Sequence, residues 1–276
     1  MASETQSEIA TESHAKSQGI LRGTSIVSCL TIISRILGFV RDLVFARFFG
    51  TGVLADCFFV AFRIPNVLRS MLAEGALTSA FVPVFASEFT KGSGSAEKTL
   101  CAVASALLSI SALIAVIGVL LSQYLIALFA PGFDGAKADL SIHLLRIMFP
   151  YIVFVSIVAM LGGALNTLKI FGTAALGQIT MNLVLISGAV LAGYSDSNAA
   201  NILAWSVIVG GVVQVAVQLP FLSRAGIRLR LTSRMWTAPV RQTLILMLPA
   251  MRGAAVYQLT IVVNTMLASL LEPVSV

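Results

Sequence analysis

The sequence predicts an all-α polytopic membrane protein with about seven transmembrane helices. One reason is composition: 58% of the 276 residues are hydrophobic and only 11% are charged, whereas soluble domains carry about 25% charged residues. The mean hydropathy is +0.96. The second reason is that five long segments lack Asp, Glu, Lys and Arg, and each approaches or exceeds the roughly 20 residues that cross a bilayer as a helix. These segments are 99–133, 147–168, 170–195, 197–223 and 253–271. The composition excludes a soluble enzyme, and the continuous apolar runs exclude the alternating strands of an outer-membrane barrel.

The order of elements follows from changes in composition along the chain. Residues 1–18 are rich in Ser, Thr and Glu, which predicts a disordered cytoplasmic leader. A six-helix lobe is expected over 19–223, a basic cytoplasmic linker over 224–241, and one further helix within 242–276. The spans themselves are expected at about 20–49, 53–87, 99–123, 141–165, 171–193, 199–222 and 243–271, separated by glycine-rich or polar turns.

A proline in the second span predicts an irregular helix. We expect a kink at Pro65 and Asn66, because proline has no backbone N–H and its ring clashes with the preceding turn. Broken helices that carry buried charges are typical of transporters. The second span is therefore the first place to look for a binding site.

The distribution of Lys and Arg predicts the orientation in the membrane. With a cytoplasmic N-terminus, ten Lys and Arg lie in inside loops and only Lys137 lies in an outside loop, as the positive-inside rule requires. The net charge of +6 is thus explained by topology and by attraction to anionic membrane lipid. No nucleic-acid partner is expected.

A cluster of charges occupies the first two spans, although a charge at mid-bilayer costs at least about 2.5 kcal/mol. Its members are Arg35, Arg41, Arg47, Arg63, Arg69, Asp42, Asp56 and Glu74. Arginines outnumber carboxylates by five to three, which favours an anionic ligand, because a guanidinium stays charged and donates paired hydrogen bonds to phosphate oxygens. An alternative stays open, in which these groups form interhelical ion pairs that lock two helices together.

The other reactive side chains predict neither catalysis nor a metal site. Cys29, Cys57 and Cys101 have spacings that match neither a zinc motif nor a redox pair. His14 and His143 have no ligand-like neighbours in sequence. A channel would need charge rings or a filter loop. We therefore expect a transporter rather than an enzyme, without a cofactor.

Several motifs, in order, resemble the MurJ (MviN) family of lipid II flippases. They include SRILGFVRD at 34–42, ADCFFVAFRIPN at 55–66, AEGA at 73–76, APGF at 130–133 and NTMLAS at 264–269. The resemblance implies the N-terminal lobe of a MATE-like fold, of the multidrug/oligosaccharidyl-lipid/polysaccharide exporter superfamily, plus the first helix of a second lobe. It also implies a bacterial inner-membrane protein that moves lipid II by alternating access, driven by the membrane potential or a coupling ion.

The resemblance also implies roles for individual residues. The diphosphate cavity falls on Arg35, Arg41, Arg63 and Arg69. The expected switch partners are Asp42, Asp56 and Glu74. In one state they pair with arginines, and in the other the diphosphate replaces them. Family members carry a C-terminal lobe, so this chain is expected to be truncated and to pair with such a lobe. Two alternatives stay open: a flippase for another polyprenyl-diphosphate glycan, and a non-transporting fragment or assembly scaffold.

Overall fold

The computed structural model describes the backbone of residues 2–50, 52–71, 76–195 and 198–269. Within these ranges the chain forms ten α-helices and no β-strand, which confirms the all-helical fold class. The helices are α1 (Ala2–Phe49), α2 (Val53–Arg69), α3 (Leu77–Thr90), α4 (Ser93–Leu120), α5 (Ser122–Phe129), α6 (Gly135–Met148), α7 (Tyr151–Thr167), α8 (Thr173–Gly193), α9 (Ala199–Arg224) and α10 (Ala238–Ser269).

Helix α1 extends through the segment expected to be a disordered leader. The backbone is helical from Ala2 onward, so this expectation differs from the structure. The segment 2–18 contains neither glycine nor proline and is rich in Ala, Glu and Gln, which have good helix propensity. Helix can therefore propagate from the apolar part of α1 into the polar segment.

The second predicted span is divided into two helices, and the division lies beyond the predicted kink. Helix α2 continues through Pro65 and ends at Arg69. The N–H of Ser70, which caps α2, bonds to the carbonyls of Asn66 and Val67. Pro65 thus lies inside the helix, four residues before its end. The predicted kink at Pro65 and Asn66 stays a prediction.

Helix length and composition confirm the membrane character of the described residues. Helices α4, α8 and α9 are each long and apolar enough to cross a bilayer. Helices α6 and α7 form a fourth candidate if they are one span, bent by 41° at Phe149 and Pro150. Three or four spans are thus supported by length and composition, and the count of seven stays a prediction.

Helices α7 and α8 organise the bundle. Helix α7 contacts α3, α4 and α9, while α8 packs between α1 and α9. Between membrane helices, close van der Waals packing replaces the hydrophobic effect as the source of affinity. The α8–α9 contact depends on Gly188, since a Cβ atom there would overlap the side chain of Ser206.

The turn between α3 and α4 is held by one carboxylate. Glu88 accepts hydrogen bonds from Lys91 Nζ and Ser95 Oγ, each at 2.6 Å. These bonds hold the pKa of Glu88 below its ordinary value, because they stabilise the charged form. The turn therefore depends on the ionised state of Glu88.

The linker between α9 and α10 lies against α4 through a ladder of polar contacts. The backbone N–H of Arg228 donates to Glu97 Oε2, and that of Thr232 donates to Ser105 Oγ at 2.9 Å. Between them, Cys101 Sγ accepts from the N–H of Arg230 and lies 3.4 Å from the carbonyl oxygen of Arg228. We call residues 227–232 the strap. The predicted basic linker is thus fixed along one helix face.

Candidate functional site

A cavity of about 250 Å³ lies between α1, α2, α7 and α8. Its polar lining consists of Arg41, Arg63, Asn66, Arg69 and Gln178. The rest of the wall is aromatic or aliphatic, and is formed by Phe45, Phe58, Phe59, Phe62, Tyr151, Met181 and Leu185. Among the described residues, three cations and no carboxylate line this cavity, which we call the arginine cavity. Its wall is suited to an anion, since the apolar surroundings strengthen electrostatic attraction.

Arg41 is positioned by a buried amide on α8. Its Nη1 atom donates to Asn182 Oδ1 at 3.2 Å, and Asn182 is only 2% exposed. The Nδ2 atom of Asn182 donates to the carbonyl of Ser34 at 3.1 Å, so the same amide also ties α8 to α1. Arg41 Nη2 pairs with Asp42 at 2.8 Å, but that carboxylate side chain is 60% exposed. Arg41 Nε also donates to the same Asp42 oxygen, at 3.0 Å, so an exposed carboxylate and a buried amide together position Arg41.

Helix α2 supplies the other two arginines. Arg63 Nη1 donates to the hydroxyl of Thr265 on α10 at 2.9 Å. Arg69 Nε donates to Asn66 Oδ1 at 2.7 Å, one turn earlier on the same helix. The acceptors in these two contacts, Thr265 and Asn66, are neutral.

A second cavity, of about 280 Å³, adjoins the first. The two share Arg69 and Gln178 in their linings. The second cavity is otherwise lined by neutral side chains, including the polar residues Thr78, Asn166 and Gln214. We call it the amide cavity. The shared residues make the two cavities neighbouring parts of one polar surface.

The structure brings together three of the four arginines expected at the diphosphate cavity. Arg41, Arg63 and Arg69 line the arginine cavity, whereas Arg35 does not. Arg35 is exposed on α1, and six residues along a helix turn it about 120° away from Arg41. The role of Arg35 stays a prediction. Asn66, expected at a kink, also lines the cavity beside Arg69.

Asp56, expected to pair with arginines, pairs with Lys137 in this structure. Its Oδ2 atom lies 2.7 Å from Lys137 Nζ, and Asp56 is only 5% exposed. The ammonium also lies 4.1 Å from the ring centre of Phe133. Asp56 occupies the first turn of α2, about 10 Å along the axis from Arg63, and faces the loop before α6. Asp56 therefore forms an ion pair between α2 and α6, with a cation from outside the predicted charge cluster.

The other two expected switch partners have different outcomes. Asp42 pairs with its neighbour Arg41 and not with Arg35, with which it shares a helix face by sequence spacing. Glu74 lies outside the described residues. In the part of the chain that the structure describes, no group of three or more His, Cys, Asp or Glu is arranged to hold a metal ion.

Sequence reasoning missed the amides that surround the arginines. Gln178 and Asn182 are four residues apart on α8, and therefore lie on one helix face. Gln214 on α9 donates from Nε2 to the carbonyl of Gly177 at 3.0 Å. Each of these amides lies inside a segment without charged residues. Polar side chains repeated at helical spacing in such a segment were the available signal.

Comparison with known proteins identifies the family of this chain. The family profile described as lipid II flippase MurJ matches residues 45–276. The chain belongs to the lipid II flippase MurJ family. A lipid II flippase MurJ from Burkholderia cenocepacia is 38% identical over 258 residues, which cover 91% of this chain and 50% of that protein. The chain thus spans about half the length of the curated relatives it matches.

Solved structures agree with the MurJ assignment. The lipid II flippase MurJ in an inward closed conformation superposes with a TM-score of 0.73 at 26% identity, covering 89% of this chain and 51% of that one. An outward-facing multidrug resistance MATE family transporter of the MOP superfamily gives a TM-score of 0.65 at 17% identity, covering 88% and 53%. The second similarity concerns the fold alone.

These comparisons confirm the predicted N-terminal lobe of a MATE-like fold. MurJ proteins are lipid II flippases, so the family is one of transporters rather than enzymes. Family membership and the apolar helices together indicate a multi-pass protein of the bacterial inner membrane.

Proposed function

We propose that this chain forms the diphosphate-binding lobe of a lipid II flippase. The observation that carries the proposal is the convergence of Arg41, Arg63 and Arg69 on one cavity. A diphosphate offers several oxygen acceptors to these guanidinium groups, and such charge-assisted hydrogen bonds are about twice as strong as neutral ones. The diphosphate of a lipid-linked glycopeptide would occupy the arginine cavity, with its lipid chain in the bilayer.

The proposed orientation places the N-terminus in the cytoplasm. The turn between α3 and α4 and the strap would then lie on the cytoplasmic side, and the Asp56–Lys137 pair on the outer side. This is supported by the excess of Lys and Arg in the loops assigned to the cytoplasm. A tag at the N-terminus should accordingly be protected from protease in intact spheroplasts and cleaved after permeabilisation.

Alternating access requires a second lobe across the cavity. Because the relatives are about twice as long as the matched region, we propose that a C-terminal lobe of the family type works with this one. The membrane potential or an ion gradient would drive the cycle. The test is rescue of cells depleted of their own flippase, by this chain alone and by this chain joined to such a lobe. It shows whether transport requires the second lobe.

Binding of undecaprenyl diphosphate to the chain in lipid nanodiscs tests the site directly. Arg63→Gln should weaken binding roughly tenfold or more, since a hydrogen bond to a charged group contributes about 1.5–3 kcal/mol. Arg234→Gln is a matched control, because Arg234 is exposed in the linker and lines neither cavity. Equal affinities for Arg63→Gln and the unchanged chain would contradict the proposal.

A further inference from the structure

We infer that the amide cavity binds the first sugar of the substrate, the N-acetylhexosamine that is bonded to the diphosphate. This inference rests on the proposed function, since it assigns the diphosphate to the arginine cavity. It begins from the fact that the two cavities share Arg69 and Gln178. A group attached directly to a diphosphate at these residues would extend into the amide cavity.

The lining of the amide cavity is suited to a neutral polar group. Apart from Arg69, which it shares with the arginine cavity, the described lining residues include no ionisable side chain. The amides of Asn166 and Gln178 each offer one acceptor and two donor hydrogens. Sugar hydroxyls and an acetamido group can use both kinds of partner. A charged peptide has no counter-ion here beyond Arg69, and is therefore not the expected occupant.

Two of these amides are available to a ligand. Among the described residues, the side chains of Asn166 and Gln178 make no hydrogen bond, and both are exposed to the cavities. Gln214 differs, because its amide is engaged by the carbonyl of Gly177 and by the hydroxyl of Tyr151. Gln214 therefore supports the wall, while Asn166 and Gln178 are the residues expected to contact the sugar.

The volumes favour one ligand with two parts. At about 250 and 280 Å³, each cavity alone falls just below the range of about 300–1,000 Å³ that is usual for ligand sites. Together they reach that range. The aliphatic side chains Val155 and Val158 and the close-packed Gly162 and Gly163 complete the wall, and provide a surface on which the apolar face of a pyranose ring can pack.

The test compares two probes on the chain in lipid nanodiscs. One is undecaprenyl diphosphate, and the other is the same lipid carrying a single N-acetylhexosamine. The unchanged chain should bind the sugar-bearing probe more tightly, by about two- to tenfold for each amide hydrogen bond. Asn166→Leu and Gln178→Leu should each reduce the ratio of the two affinities toward one. Gln123→Leu, on the exposed surface of α5 and outside both cavities, should leave the ratio unchanged.

The outcomes separate the inference from the proposed function. If Arg63→Gln weakens both probes in parallel while Asn166→Leu and Gln178→Leu keep the ratio of the unchanged chain, the diphosphate site stands and the sugar site is overturned. If Arg63→Gln alters neither affinity, the diphosphate assignment itself fails. A ratio of one for the unchanged chain also overturns the sugar site.

Discussion

The pair between Asp56 and Lys137 predicts unequal effects when either partner is removed. Lys137→Met leaves a carboxylate that is 5% exposed without its partner, and breaking a buried pair in this way costs about 3–5 kcal/mol. Because the Lys137 side chain is 24% exposed, water reduces this to about 2–3 kcal/mol. Asp56→Asn should cost only about 1 kcal/mol, since the amide still accepts a hydrogen bond and the lysine can turn toward solvent.

Thermal unfolding in detergent micelles measures this difference. A change of 1 kcal/mol shifts the midpoint of a chain of this size by about 2–4 °C, so Lys137→Met should lower it by about 4–12 °C and Asp56→Asn by less than half as much. The double variant should be less destabilised than Lys137→Met and close to Asp56→Asn, because it no longer buries an unpaired carboxylate. Lys91→Met, which removes an exposed pair with Glu88, is the matched control. A larger loss for Asp56→Asn than for Lys137→Met would refute the reasoning.

Three further predictions concern packing, the strap and pH. Gly188→Ala should destabilise the chain by about 1–3 kcal/mol through overlap with Ser206, and adding Ser206→Gly should restore the thermal midpoint; no restoration would contradict the contact. Ser105→Ala should speed hydrogen exchange of the Thr232 amide severalfold, because a hydrogen bond of about 1 kcal/mol is lost; unchanged exchange would contradict the ladder. Because the folded pKa of Glu88 is lowered, its stabilisation is present above the unfolded pKa and lost as pH falls through the folded value. Glu88→Gln should remove that part of the pH dependence of the thermal midpoint, and an identical pH profile would argue against it.

Sequence reasoning singled out the arginines that line the cavity because the signal for them is local. Arg63 and Arg69 lie on one helix, and an excess of arginine in a membrane span has few explanations other than an anion or paired carboxylates. The partner of the Asp56 carboxylate could not be predicted from local sequence. Lys137 is 81 residues from Asp56 in sequence, and nothing in its surroundings distinguishes it from an ordinary loop cation.

The supporting amides were missed for a related reason. Asn182 is 141 residues from Arg41, so only the packing of α8 on α1 brings them together. Local rules thus predicted the helices and the arginine-rich segment, whereas contacts between distant segments determined which side chains hold the arginines.

An extended segment such as the strap can keep regular contacts with a helix over only a short length, because their repeats differ. Four residues of α4 advance about 6.0 Å, and two residues of an extended chain advance about 6.6 Å, so the two repeats drift apart by about 0.6 Å per contact. The contacts at Glu97, Cys101 and Ser105 tolerate this drift. At the next position, Ser109 meets the sulfur of Met235, three residues beyond Thr232 rather than two. An insertion before Thr232 would therefore break the match, while the segment after it has room to vary in length.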